Sequence, residues 1–167
     1  MAMTATVIGG EGRVIPNNLE AEQSVLGGML LSQEAVADVL EVVSAVDFYT
    51  PKHELIFDAV VTLFGRGEPT DVIAVTDYLN KQGSLLKAGG ADYLHSLTSF
   101  VPTAANASYY GKIVSDKAIL RRLIEVGTRI AQAGFESQGE VEELVNQAQS
   151  EIFNVANQSA KEDYVGL

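Results

Sequence analysis

Few side chains in this chain have the types and spacing that chemistry requires. His53 and His95 are the only histidines and lie far apart, with no Cys or acidic cluster beside either, so neither fits a metal site. No Gly-x-Ser-x-Gly elbow occurs and Cys is absent, which removes the usual acyl-transfer nucleophiles. Gly-Lys occurs once, at Gly111-Lys112, but Ile113 stands where a phosphate-binding loop needs Ser or Thr, and Asn106 where it needs Gly. Glu20 and Glu22 project in different directions from one helix and cannot share a bond as an acid–base pair. Arg121-Arg122 is the remaining pair, and adjacent guanidinium groups can hold phosphate. An acidic segment follows it closely, so a solvated, internally paired face explains it better. The sequence therefore assigns no catalytic residue, no cofactor-binding residue and no metal ligand, and a small helical enzyme with an unrecognised site is the weakest reading.

The composition narrows the classes further. A chain of 167 residues, 47% hydrophobic, is long enough for one domain or for a small domain with an appendage. A net charge of −11 with only 11 Lys plus Arg is a poor footprint for nucleic acid. No apolar run approaches the ~20 residues of a membrane span, and the opening MAMTATVIGGEGRV lacks the basic and apolar regions of a secretory signal. The absence of Cys suits a reducing cytosol.

The elements are all helical. Residues 1–15 are aperiodic and are expected to form a disordered arm. Residues 16–103 form a globular subdomain of about five short helices. Pro16 precedes LEAEQSVLGGMLLS, with Asn17 and Glu20 spaced like a capping box; the paired Gly27 and Gly28 inside this helix imply close approach by another helix. Ser32 caps EAVADVLEVVS; Phe48 and Tyr49 form a connector with two aromatics to bury. Thr50 and Pro51 open KHELIFDAVVTLFGRG, which buries Leu55, Ile56, Ala59, Val60 and Leu63. Thr70 or Asp71 caps VIAVTDYLNKQ, read as helix because no partner strand exists, and Ala91–Thr98 is the fifth helix.

Residues 104–157 read as a hairpin of two helices. The first arm spans Ala104–Ala133, Gly134 and Gly139 bracket the bend, and VEELVNQAQSEIFNVAN returns. On the long arm Ile119, Leu123, Val126 and Ile130 form one stripe, and Ile113, Leu120 and Ile124 a neighbouring one. The combined arc is wider than one core contact needs. The return arm has one stripe, Val141, Leu144, Val145, Ala148, Ile152 and Val155, with Phe153 off it. Ala104–Phe135 is net positive and Glu136–Asn157 net negative, which favours pairing of the arms. One long-arm face is thus left over, and self-association is the default use of such a face. The interface candidates are Ile113, Ile119, Leu120, Leu123, Ile124, Val126, Ile130 and Phe153.

Three strings, NNLEAEQSVLGGMLL, DFYTPKHELIFDAV and GGADYLHSLTSFVPTAANASYYGKIVSDKAILRRLI, resemble the N-terminal domain of the bacterial replicative helicase DnaB family, in the family's order over about residues 15–157. The resemblance implies an all-helical domain with a globular part and a hairpin. It implies that hairpins of neighbouring copies pair, giving a trimer of dimers within a hexamer, and that this tier docks the C-terminal domain of primase, with Ile124 and Ile130 on the sensitive surface. ATP, Mg and most contact with single-stranded DNA would belong to a motor domain, with residues 158–167 opening the linker towards it. No cofactor is expected in this chain, no membrane is a partner, and the place of action is the cytoplasm, at the nucleoid and replication fork. The alternative is an autonomous single-stranded-DNA-binding module resting on the basic long arm.

Overall fold

The computed structural model describes residues 13–165 apart from Pro102, with side chains described as far as Val155. Most of the arm expected at residues 1–15 lies outside the described residues. Seven α-helices follow in order among the described residues: α1 Leu19–Leu31, α2 Gln33–Leu40, α3 Pro51–Gly65, α4 Val72–Lys81, α5 Gly90–Ser99, α6 Ala107–Glu136 and α7 Val141–Val165. Short 3-10 turns at Ala45–Asp47 and Ala104–Asn106 precede α3 and α6. The first five helices and the start of α6 enclose one core, in which Leu26, Met29, Ile56, Phe57, Leu94 and Leu97 are fully buried. The all-helical expectation holds, including a helix rather than a strand over VIAV.

Local chemistry sets most of the helix ends. Ser32 serves two helices at once: its amide donates to Gly28 O at 3.1 Å and its Oγ accepts from the Ala35 amide at 3.2 Å, so α1 turns into α2 within one residue. Asp71 caps α4 through the Ala74 amide. The first cap differs from expectation. Asn18, not Asn17, accepts from the Ala21 amide at 2.9 Å, because its extended backbone (φ −146, ψ 94) turns its side chain over the first turn. Asn17 instead donates to Ile15 O at 2.8 Å. The predicted burial of Leu55 is only partial, and Phe57 fills the core in its place, 5.0 Å centroid to centroid from Phe48. Tyr49 remains half exposed, with Arg121 over its ring at 5.3 Å.

α1 is the axis of the globular part. It packs on α2, α3, α5 and α6, and its glycines make two of those contacts possible. A Cβ on Gly27 would overlap the Leu97 carbonyl oxygen of α5, and one on Gly28 would meet Ala107 Cβ at 2.9 Å, at the start of α6. Gly111 repeats the device one turn further along α6, where a Cβ would meet Val42 Cγ2 at 2.9 Å. The close approach expected from the paired glycines is present. The first turns of α6 are thereby buried in the globular core through Ala107, Gly111, Val114 and Ala118, and the remainder of its 30 residues, about 45 Å in all at 1.5 Å per residue, projects outward.

The hairpin departs from the sequence reading at three points. α6 begins after a 3-10 turn rather than at Ala104, and it runs straight through Gly134 to Glu136. Its stop is Ser137, which adopts φ 52 while its amide donates to Ala133 O at 3.0 Å. Gly139, at φ 92, lies in the bend as expected. The return arm is helical to Val165, past Asn157.

Gly27→Ala is expected to lower the unfolding free energy by about 2 kcal/mol or more, since it presses a methyl against backbone. Gly65→Ala, with nothing within 4 Å, should leave stability level or raise it by up to ~1 kcal/mol. Urea denaturation of both variants checks this, and equal losses would contradict it.

Candidate interaction surface

The most chemical-looking cluster is buried between α1, α3 and α5. Glu22 is buried and accepts from the Tyr49 amide at 2.7 Å and the Thr50 amide at 3.4 Å, so a carboxylate from α1 caps the entrance to α3. Thr50 occupies the expected cap position but its own side chain makes no capping bond. His53, expected only to lie in the first turn of α3, is likewise buried, with Nδ1 2.8 Å from Glu22 Oε1 and Nε2 2.5 Å from Tyr93 Oη. A neutral imidazole satisfies the whole set: Nδ1–H donates to Glu22, and the Tyr93 hydroxyl donates to Nε2 while accepting from Gln23 Nε2 at 3.4 Å. Burial holds the Tyr93 phenol above its ordinary 10.0, with Gln23 opposing and the Glu22 carboxylate reinforcing the rise, so the donor stays protonated at neutral pH. Every member of the set bonds another member. The cluster locks three helices together. Among the described residues no group of three metal-ligating side chains exists, and His95 is exposed rather than partly buried.

Four of the five basic residues of α6, all but Lys117, are equally committed. Arg121 donates to Pro16 O at 2.7 Å and to Asp47 O at 2.6 Å, and Arg122 pairs with the buried Asp47 carboxylate at 3.2 Å. Asp47 is itself held by the Ser44 amide and hydroxyl. Lys112 pairs with Asp116, and Arg129 with Glu151 across the hairpin at 2.7 Å. Arg129–Glu151 is the one ion pair between the arms among the described residues. The sequence's opposite-charge argument for the hairpin therefore holds at one point. Arg121 and Arg122 turn back to the globular part instead, because the buried Asp47 attracts them more strongly than exposed glutamates do.

Apolar packing closes the arms. Val126 on α6 and Val155 on α7 are buried, and the half-buried Ile130, Ala133, Leu144 and Ala148 line the gap between the arms. The eight interface candidates now separate. Val126 belongs to the hairpin interior, and Ile113 packs partly on the globular core. Ile119 and Ile130 are half-buried. Leu120, Leu123 and Ile124 stand 43, 45 and 46% exposed on one side of α6 and continue through the open Gly127. Phe153 is 65% exposed on α7 and apart from this stripe. On the hairpin five further exposed apolar or aromatic side chains were missed as candidates: Tyr109, Phe135, Val141, Val145 and Ile152. The last three share the return arm's apolar stripe, but only its Leu144–Ala148–Val155 edge turns inward. Comparing the widths of the two stripes would have revealed the excess.

The family model for the DnaB-like helicase N-terminal domain matches residues 14–116, the globular part and the buried start of α6. The chain belongs to this family. It is 62% identical over 155 residues to the replicative DNA helicase DnaB of Leifsonia xyli subsp. xyli, covering 93% of this chain and 34% of that protein. It is 53% identical over 158 residues to DnaB of Mycobacterium leprae, covering 93% of this chain and 26% of that protein. The replicative DNA helicase DnaC of Bacillus subtilis is 45% identical over 144 residues, covering 86% of this chain and 32% of that protein. The chain thus spans about a third or less of the length of the relatives it matches. The crystal structure of the N-terminal domain of DnaB helicase from Mycobacterium tuberculosis superposes with a TM-score of 0.81 at 53% identity, covering 84% of this chain and 99% of that one. The resemblance carried by the three sequence strings is borne out.

Removing the carboxylate in Glu22→Ala leaves two amides and His53 without their acceptor, and a loss of about 3 kcal/mol is expected in urea denaturation. Tyr93 is held protonated in the folded state, so its contribution to stability is present below pH 10 and falls as pH rises through the raised value. Difference absorbance between the parent and Tyr93→Phe should show one phenol titrating above its ordinary range.

Proposed function

We propose that this chain is the N-terminal domain of a replicative DNA helicase and serves it as an oligomerisation and partner-docking element. Hairpins of neighbouring copies pair through the α6 stripe, the pairs assemble as a trimer of dimers within a hexamer, and the same tier docks the C-terminal domain of primase. ATP, Mg and most contact with single-stranded DNA belong to the motor domain of the full-length helicase, which unwinds duplex at the fork in the cytoplasm.

One observation carries this reading: Leu120, Leu123 and Ile124 form a contiguous half-exposed aliphatic stripe on α6, on a side that neither the globular core nor the return arm covers. Covering what remains exposed is worth roughly 1 kcal/mol per side chain, and a two-fold contact counts each residue twice. Support for an autonomous single-stranded-DNA-binding module is weaker. Four of its five basic residues, all but Lys117, are bonded to Asp47, Pro16 O, Asp116 or Glu151.

Light scattering of the purified chain should give dimers or larger assemblies, and Ile124→Asp should weaken self-association at least tenfold. Co-elution with the primase C-terminal domain should succeed for the parent chain. A strict monomer at high concentration, with Ile124→Asp changing neither association nor primase retention, would overturn the proposal.

A further inference from the structure

Arg122 touches two parts of the molecule at once. Its Nη1 donates to the buried Asp47 carboxylate at 3.2 Å. Its side chain also lines a recess of about 190 Å3 between α6 and α7, together with Glu125, Arg129, Glu151 and Asn154. The bonding of Arg122 is incomplete. Nε and Nη2 are shut off from solvent, and neither has an acceptor among the described residues. Together they form the edge by which a guanidinium grips a carboxylate with two parallel bonds. Buried donors without acceptors are uncommon, because each has lost water and gained no partner.

Two carboxylates share the recess. Glu125 is exposed and stands one turn along α6 from Arg122, so a bond to it would join α6 only to itself. Glu151 comes from α7. It accepts from Arg129 Nε at 2.7 Å, in a pair whose arginine is well exposed. Exposed pairs are weak and exchange readily, whereas a two-pronged, charge-assisted bond inside the protein is stronger. Arg122 and Arg129 lie on the same side of α6, two turns or about 10 Å apart, and Glu151 faces the space between them.

We propose that Glu151 is shared by these two arginines, and that its transfer from Arg129 to Arg122 is a conformational switch at the root of the hairpin. The Arg122 guanidinium turns about its Nη1 bond to Asp47 and presents Nε and Nη2 to the recess. Glu151 leaves Arg129 for that edge, and α7 moves in to close the recess. Asp47, Arg122 and Glu151 then form one chain of acid, base and acid, which ties the return arm to the connector before α3. With Glu151 on Arg129, the return arm is held to the outer part of α6. With Glu151 on Arg122, it is held to the globular part. The switch acts within one copy and does not depend on how copies pair.

The chain contains no Cys, so two can be introduced for spin labels, Ala37→Cys on α2 and Ser150→Cys on α7, both at exposed positions. Labelled chain is diluted into an excess of unlabelled chain, which confines the distance read by double electron–electron resonance to a single copy. Arg129→Gln removes the first partner of Glu151 and should move most of the distribution to a second, shorter distance. Because it touches only an exposed pair, its melting temperature by circular dichroism should stay close to the parent's. Adding Glu151→Gln should restore the parent distance, since the Arg122 edge then has no charged acceptor on α7. Adding Arg122→Lys instead should also restore it, because an ammonium keeps the charge beside Asp47 but has no second edge. Glu125→Gln should leave the shift in place. The switch is ruled out if Arg129→Gln keeps the parent distance, if the shift survives Glu151→Gln, or if Glu125→Gln abolishes it. Broadening without a second distance also counts against it, since that is simple loosening of the arms. The Glu151→Gln arm decides the outcome even where Arg122→Lys fails to fold.

Discussion

The architecture depends on how closely α1 can approach its neighbours. Side chains normally hold packed helices 8–10 Å apart. At Gly27 and Gly28 there is no Cβ, and α5 and the start of α6 come in until the Leu97 carbonyl and Ala107 fill that space. This contact seats the first turns of α6, and through them the direction of the whole hairpin. Most of the residues buried in the first turns of α6 are correspondingly small: Ala107, Gly111, Ser115 and Ala118, with Val114 the larger exception. A bulkier set would lift α6 away from the core and leave Val25, Leu26 and Met29 less well covered.

Polar anchors then fix what packing alone leaves free to slide. Glu22 takes the two amides at the entrance to α3 and the His53 imidazole, so α1 and α3 cannot shift relative to each other without stranding a buried carboxylate. Tyr93 extends the same network to α5. Asp47 does the equivalent work for α6, binding Arg122 through its carboxylate and Arg121 through its carbonyl. Both acids are buried and both are satisfied by donors from elements distant in sequence. A projecting hairpin gains from such rigidity, because a surface borne on a loosely rooted arm would lose binding energy to ordering.

Beyond Arg122 the two arms have only each other. Their interior is narrow, with Val126 and Val155 buried and Ile130, Ala133, Leu144 and Ala148 only half-buried along the gap, so much apolar surface stays outside. A two-helix hairpin has no third element to cover that surface. The aliphatic stripe near the base is a consequence of this geometry.

The sequence by itself determined the helical class, the order of the elements, the hairpin and its surplus of apolar surface. Periodicity, caps such as Ser32 and Asp71, and the paired glycines are local signals, legible within a few residues of one another. The three family-like strings added the rest of the identification. What the sequence could not reveal depends on partners far apart in the chain. Asn18 rather than Asn17 caps α1 because of its backbone conformation, and α6 ignores Gly134 because Ser137 supplies the turn. Only the tertiary structure placed Glu22 over the entrance to α3, gave Arg121 and Arg122 to Asp47, and divided the eight interface candidates into buried and exposed. A helical wheel assigns each side chain an angle on its own helix, but whether that angle faces a core, a sister arm or solvent is set by which helices arrive there.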